Sequence, residues 1–224
     1  MRSLEDATVK ESRVIELATR ISRISPSMTF AISSKAKALK AQGIDVCDFS
    51  VGEPDFVTPS FMRDAAKTAL DEGRTKYTPT AGLPALRKRI ARKLRDENGL
   101  TYTSEQILVT AGGKQALFNT LLALLNPGDE VLIPAPAWVT YPEIVKFSGA
   151  ESRLMPTDES SNFKITADQL DSAISAKTRA LILNTPSNPT GAVYSPDEIR
   201  ALAEVITEHQ IAVIADEIYE KLIY

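Results

Sequence analysis

The sequence predicts an α/β fold in three layers, a mostly parallel sheet with helices on both faces, preceded by an N-terminal helical arm or subdomain. Three observations predict it. From about residue 100 onward short β-branched runs at 107–110, 130–133, 153–155, 179–184 and 211–215 alternate with helical periods at 113–125, 138–148 and 195–209. Such alternation builds a parallel sheet covered on both faces. The punctuation agrees: Asn126-Pro127-Gly128-Asp129 reads as a turn, Thr166 opens a short helix, and Ser195-Pro196-Asp197-Glu198 supplies an N-cap with proline at the first helical position. The first hundred residues differ, with helical patterns at 28–42, 60–72 and 84–98 separated by loops that carry Gly and Pro.

Composition bounds the function classes. The 224 residues suffice for one large domain or two small ones, with 26 Lys+Arg against 29 Asp+Glu and a net charge of -3. At 43% hydrophobic and 25% charged residues the chain is ordinary globular protein, which excludes disorder, collagen-like repeats and a disulfide scaffold. The longest uncharged apolar stretch, 116–125, is broken by Asn119 and Thr120. It is half the roughly 20 residues a bilayer helix needs, so no membrane span is expected. Glu5 and Asp6 stand where a secretory signal would show an apolar core, which points to a cytoplasmic protein.

Single residues narrow the field further. Cys47, the sole cysteine, alternates with Val46, Phe49 and Val51 and is expected to be a buried strand residue rather than a reactive thiol. His209, the sole histidine, removes multi-histidine metal sites, and at the end of a helical pattern it reads as a favourable C-terminal cation. No metal is expected. The six positive charges of 87–95 invite a nucleic-acid reading, but Leu86, Ile90 and Leu94 recur every four residues and Asp96 and Glu97 follow. A solvated helix face explains them better, and no nucleic-acid partner is expected.

Ligands of a parallel α/β sheet sit beyond the carboxyl ends of its strands. After 107–110, Ala111-Gly112-Gly113-Lys114-Gln115-Ala116 opens a helix, either a plain tight turn or a cradle for an anion such as phosphate. It is not a Walker loop, because Leu108 stands where the first Gly is needed and Gln115 where Ser or Thr is needed. After 130–133 comes Pro134-Ala135-Pro136-Ala137-Trp138, with the sole tryptophan as core residue or aromatic platform. The run 179–183 leads into Asn184-Thr185-Pro186-Ser187-Asn188-Pro189-Thr190-Gly191, richer in Asn and Pro than a turn requires. After 211–215 comes Asp216-Glu217-Ile218-Tyr219, whose carboxylate either caps a helix or meets a ligand. Together these suit a planar aromatic ligand with a phosphate at one end and a basic ring nitrogen at the other. Pyridoxal phosphate has that outline, and its ring is an electron sink only while the nitrogen stays protonated, hence the carboxylate.

These residues resemble the class I/II aminotransferases of pyridoxal-phosphate fold type I, and most of all their bacterial aspartate aminotransferase branch. The motifs that carry the resemblance occur in family order over 50–219: Ser50-Val51-Gly52-Glu53-Pro54-Asp55-Phe56, Lys76-Tyr77-Thr78-Pro79 with Gly82, Gly112-Gly113-Lys114-Gln115-Ala116, Trp138-Val139-Thr140-Tyr141-Pro142, Asn188-Pro189-Thr190-Gly191 and Asp216-Glu217-Ile218-Tyr219. The resemblance implies that Gly112, Gly113 and Lys114 wrap the cofactor phosphate and that Tyr77 reaches the cofactor of the other subunit in a homodimer. It implies that Trp138 stacks on the ring and that Asn188 and Tyr219 bond its phenolic oxygen. Asp216 pairs with the ring nitrogen; Gly52, Trp138 and Asn188 also meet the substrate.

By the same resemblance 1–49 is the arm and part of a small domain, and 50–224 the large cofactor domain, incomplete at the C-terminus. The Schiff-base lysine of the family, in a Ser-Lys context beyond Tyr219, and the arginine that clamps the substrate carboxylate are absent from these residues. The implied activity is amino-group transfer between an amino acid, aspartate or glutamate first, and a 2-oxo acid, with this stretch inactive alone. Prephenate, aromatic and alanine-type acceptors stay open. A non-catalytic regulatory module on the same fold is one alternative, although 1–50 shows no helix-turn-helix spacing. A lyase or synthase of the same fold type is another.

Overall fold

The computed structural model describes residues 15–26, 28–52 and 56–223. Residues 1–14, and Glu53, Pro54 and Asp55 of the first motif, lie outside the described residues. In chain order the helices are α1 (Thr19–Ser22), α2 (Met28–Ala41), α3 (Ser60–Asp71), α4 (Pro84–Asn98), α5 (Gly113–Leu124), α6 (Thr140–Ser148), α7 (Ala167–Ala173) and α8 (Pro196–His209). The strands are β1 (Glu130–Ala135), β2 (Glu151–Pro156), β3 (Thr178–Asn184) and β4 (Ala212–Asp216), all parallel and ordered β2-β1-β3-β4.

Local chemistry sets the element ends. Ser195 accepts from the Glu198 N–H while the Glu198 carboxylate accepts from the Ser195 N–H, a reciprocal cap that starts α8 with Pro196 as first residue. Thr166 and Gln169 start α7 in the same way. The turn at 126–129 closes through Asp129 N–H to Asn126 O (3.1 Å) and through the Asp129 carboxylate to Asn126 N–H (2.7 Å). His209 ends α8 and bonds Asp171 of α7 at 2.6 Å, joining two helices of one layer.

The three layers follow from period-two alternation in the central strands. Val131, Ile133, Ala180 and Ile182 face α5 and α6, where Leu117, Leu121, Ile144 and Val145 complete one core. Leu132, Leu181 and Leu183 face the other way, onto Leu170 of α7 and Leu202 of α8. Leu121, Leu132 and Leu181 are wholly buried, and truncating any such leucine to alanine costs about 2–5 kcal/mol. The basic face of α4 is exposed, as expected, and pairs Arg92 with Asp96 at 3.1 Å. Lys93 and Asn98 of α4 also hold Glu220, just past β4.

Two expected strands are corrected. Residues 107–110 are extended but join no ladder among the described residues. Their backbone is met by other groups: Arg87 Nε donates to Ile107 O at 2.9 Å, and Val109 N–H donates to Ala81 O at 3.1 Å. Cys47 is exposed and lies outside any strand, with Phe49 92% exposed. Alternation marks a segment able to pair, and no described strand runs beside 44–51.

The contact between 79–82 and 107–110 is close. Gly82 has φ +98°, and a Cβ there would lie 2.7 Å from Val109 Cβ and Cγ2. Gly82→Ala is expected to destabilise the protein by about 1–3 kcal/mol through overpacking. Adding Val109→Ala should restore part of the loss in a denaturant titration; an undiminished loss would assign the whole cost to the backbone angle.

Candidate functional site

The chain leaves β1 to build β2 on one side and returns to build β3 on the other, so the helices after β1 and β3 lie on opposite faces. The two connections part beyond the carboxyl ends, which is where open α/β sheets bind ligands. A cleft opens there between Pro134, Ala137, Tyr141, Asn184, Ser187 and Asn188.

The start of α5 lies on this rim. Its N-cap, Gly112, has φ 84° and ψ 165°, a conformation essentially reserved for glycine. Cβ atoms built on Gly112 or Gly113 would meet nothing within 4 Å, so the first turn is open to approach. The first N–H groups of a helix have no intrahelical partner and carry the positive end of its dipole. Lys114 adds an ammonium, and its Nζ lies 5.0 Å from the centre of the Trp138 ring.

Trp138 stands two residues ahead of α6, half-buried, with its ring edge-on to Tyr141 at a centroid distance of 5.3 Å. Tyr141 is 2% exposed, and its hydroxyl donates to Asp216 Oδ2 at 2.7 Å. Burial pushes the Tyr141 phenol well above the ordinary tyrosine range, and the Asp216 carboxylate adds to the shift. Asp216 is the last residue of β4, and its Oδ1 accepts from the Ile218 N–H at 3.1 Å. A turn, not a helix, follows it, so the dull alternative for this carboxylate is a turn cap. Asn188 Nδ2 donates to the Tyr219 hydroxyl at 3.4 Å.

Lys114, Trp138, Tyr141 and Asp216 therefore form one continuous chain of contacts, with the Asn188–Tyr219 pair on the same rim and Gly112 and Gly113 at its phosphate-competent end. Cation and helix N-terminus, aromatic face, carboxylate, amide and phenol are the donor set that a phosphorylated hydroxypyridine requires, so the residues present fit that group. Two sequence candidates stand apart. Tyr77 is fully exposed beside Thr75, Lys76 and Thr78, and Gly52 is exposed with no atom within 4 Å of a built Cβ.

Two residues of the site were given no role by sequence reasoning. Tyr141 had as signals its place in the Trp138–Pro142 motif and its spacing of three from Trp138. Asn184 had its place as the polar end of an apolar strand and the first residue of the Asn- and Pro-rich run.

The family profile "Aminotransferase class I and II" matches residues 44–224. A probable aspartate/prephenate aminotransferase of Rhizobium leguminosarum bv. phaseoli is 51% identical over 209 residues, which are 93% of this chain and 52% of the relative. The chain thus spans about half the length of the curated relatives it matches. Among solved structures, the aspartate aminotransferase from Rhizobium meliloti superposes with a TM-score of 0.90 at 43% identity, covering 94% of this chain and 53% of that one. The aspartate aminotransferase from Thermus thermophilus with maleate gives 0.87 at 44% identity, covering 90% and 53%.

Proposed function

The chain belongs to the class I and II aminotransferases, and from that premise we propose that it forms the cofactor-holding part of an enzyme that moves an amino group between aspartate or glutamate and a 2-oxo acid using pyridoxal 5'-phosphate. The observation that carries the reading is the unbroken run of contacts from Lys114 through Trp138 and Tyr141 to Asp216 at the carboxyl ends of parallel strands. When bound, pyridoxal phosphate supplies an electron sink for the charge left at the substrate α-carbon when its proton departs.

The chain's own groups do the rest. Gly112, Gly113 and Lys114 hold the phosphate through first-turn N–H groups and an ammonium. Trp138 covers one face of the ring and excludes water from it. Asp216 keeps the ring nitrogen protonated by pairing with it. Asn188 and Tyr219 donate to the phenolic oxygen, and Asn188 also to the substrate carboxylate, while Gly52 lets that substrate approach the backbone. Tyr77, left uncovered by the described residues of its own chain, serves the phosphate of a second copy, so the working unit is a homodimer. The lysine that moves the α-proton and the arginine that clamps the substrate carboxylate are assigned to residues beyond 224. Residues 1–49 are assigned to an arm and part of a small domain, 50–224 to the large domain.

Among the described residues no helix is long and apolar enough to cross a membrane, and a cytoplasmic location is part of the proposal. The relatives' names favour dicarboxylic substrates, with prephenate as a second acceptor. The full-length protein, supplied with cofactor and L-aspartate, is expected to convert 2-oxoglutarate to glutamate and to aminate prephenate. Cofactor binding without transfer from any dicarboxylic amino acid would favour the regulatory module or the lyase instead.

A further inference from the structure

We propose that Asn184 is a positioning residue whose side-chain amide sets the separation between Asn188 and Asp216. It ends β3 opposite Asp216 in the parallel register. From there its Nδ2 donates to the Asp216 carbonyl at 2.9 Å, and its Oδ1 accepts from the Asn188 N–H at 2.7 Å. One planar group thus holds both strand-end loops. Among the described residues these loops are tied further by Thr185 N–H to Asp216 O at 3.2 Å and by the long Asn188–Tyr219 contact at 3.4 Å.

The inference rests on the cofactor reading above and deepens it. A 3-hydroxypyridine has two polar handles, the ring nitrogen and the phenolic oxygen, on atoms of one rigid ring. Asp216 and Asn188 are the groups proposed to meet them. A rigid ligand is bound well only when its two partners are held at the matching spacing, because a loose partner must be ordered at the moment of binding. Asn184 supplies that spacing without touching the ligand, since both of its bonds go to main-chain atoms of the residues that do. Its amide is half-buried and lines the cleft rather than the core.

The test uses the full-length protein and two probes, pyridoxal 5'-phosphate and its 3-deoxy analogue, which lacks the phenolic oxygen. The quantity read is the ratio of their dissociation constants, with apoprotein thermal stability measured beside it. In Asn184→Ala the preference for the 3-oxygen is expected to fall roughly tenfold, the worth of about one hydrogen bond. In an Asn188→Ala background the same substitution should leave the ratio unchanged, because Asn184 acts on the 3-oxygen through Asn188. A purely structural role would weaken both probes equally in both backgrounds, and that result overturns the proposal. If Asn184→Ala does not fold, Asn184→Asp keeps the acceptor for the Asn188 N–H but sets a carboxylate oxygen against the Asp216 carbonyl, so its preference should also fall roughly tenfold, and an unaltered preference overturns the proposal. Failure of the wild-type protein to bind pyridoxal 5'-phosphate removes the functional reading and this inference with it, whereas normal wild-type binding with an unaltered ratio in Asn184→Ala removes this inference alone.

Discussion

Asp216→Asn in the full-length protein is expected to keep the fold and most cofactor affinity while slowing α-proton transfer by roughly 10² to 10⁴. Both contacts that Asp216 makes within the chain survive the change. The Asn oxygen can accept from the Ile218 N–H as Oδ1 does, and the Tyr141 hydroxyl can turn to accept from the new amide where it now donates to Oδ2. A turn-capping role therefore predicts little effect. What is lost is the charge proposed to pair with the ring nitrogen, and breaking a buried ion pair costs about 3–5 kcal/mol. Spent on the transition state, that figure gives the expected slowing, at about 1.4 kcal/mol per factor of ten. Single-turnover rates and thermal melts measured together decide it: a near-normal rate, or a loss that merely follows unfolding, refutes the electron-sink role.

Tyr141→Phe is expected to have the next largest effect, through stability and its pH dependence. The phenol is buried and donates to a carboxylate, and a hydrogen bond to a charged group is worth about 1.5–3 kcal/mol. That loss should appear at neutral pH. The alkaline limb should change as well. Burial and Asp216 raise the Tyr141 pKa in the folded protein, while in the unfolded chain it is about 10. The folded state therefore holds this proton where the unfolded state has released it. The resulting stability is fully present below about pH 10 and is lost as pH rises beyond that towards the folded value. Tyr141→Phe removes this dependence, so wild type and variant should converge in stability above pH 10. Tyr194, raised chiefly by burial, leaves its own alkaline slope in both proteins. Parallel stability curves across that range would show that Tyr141 carries no raised pKa.

What the sequence by itself determined is what depends on neighbours a few positions apart. The caps at Ser195 and Thr166, the helix opened by Gly113, and the short apolar runs that become β1 and β3 all read correctly, because a cap bonds three residues on and a buried parallel strand is a continuous apolar run between turns. Asp216, Trp138 and Asn188 could be nominated as odd residues at or just past the ends of locally legible strands, and Lys114 as part of a Gly-rich helix start. Only the tertiary structure decided which of them meet. Whether 107–110 or the stretch around Cys47 pairs depends on a partner strand, and alternation within one segment does not identify that partner. Tyr141 lies 75 residues from Asp216, and Asn184 lies 32 from it. Those bonds exist because α6 packs against the sheet and because the parallel register sets Asn184 beside Asp216. Register and packing are settled by burial summed over whole layers, and no local pattern of residues encodes that sum.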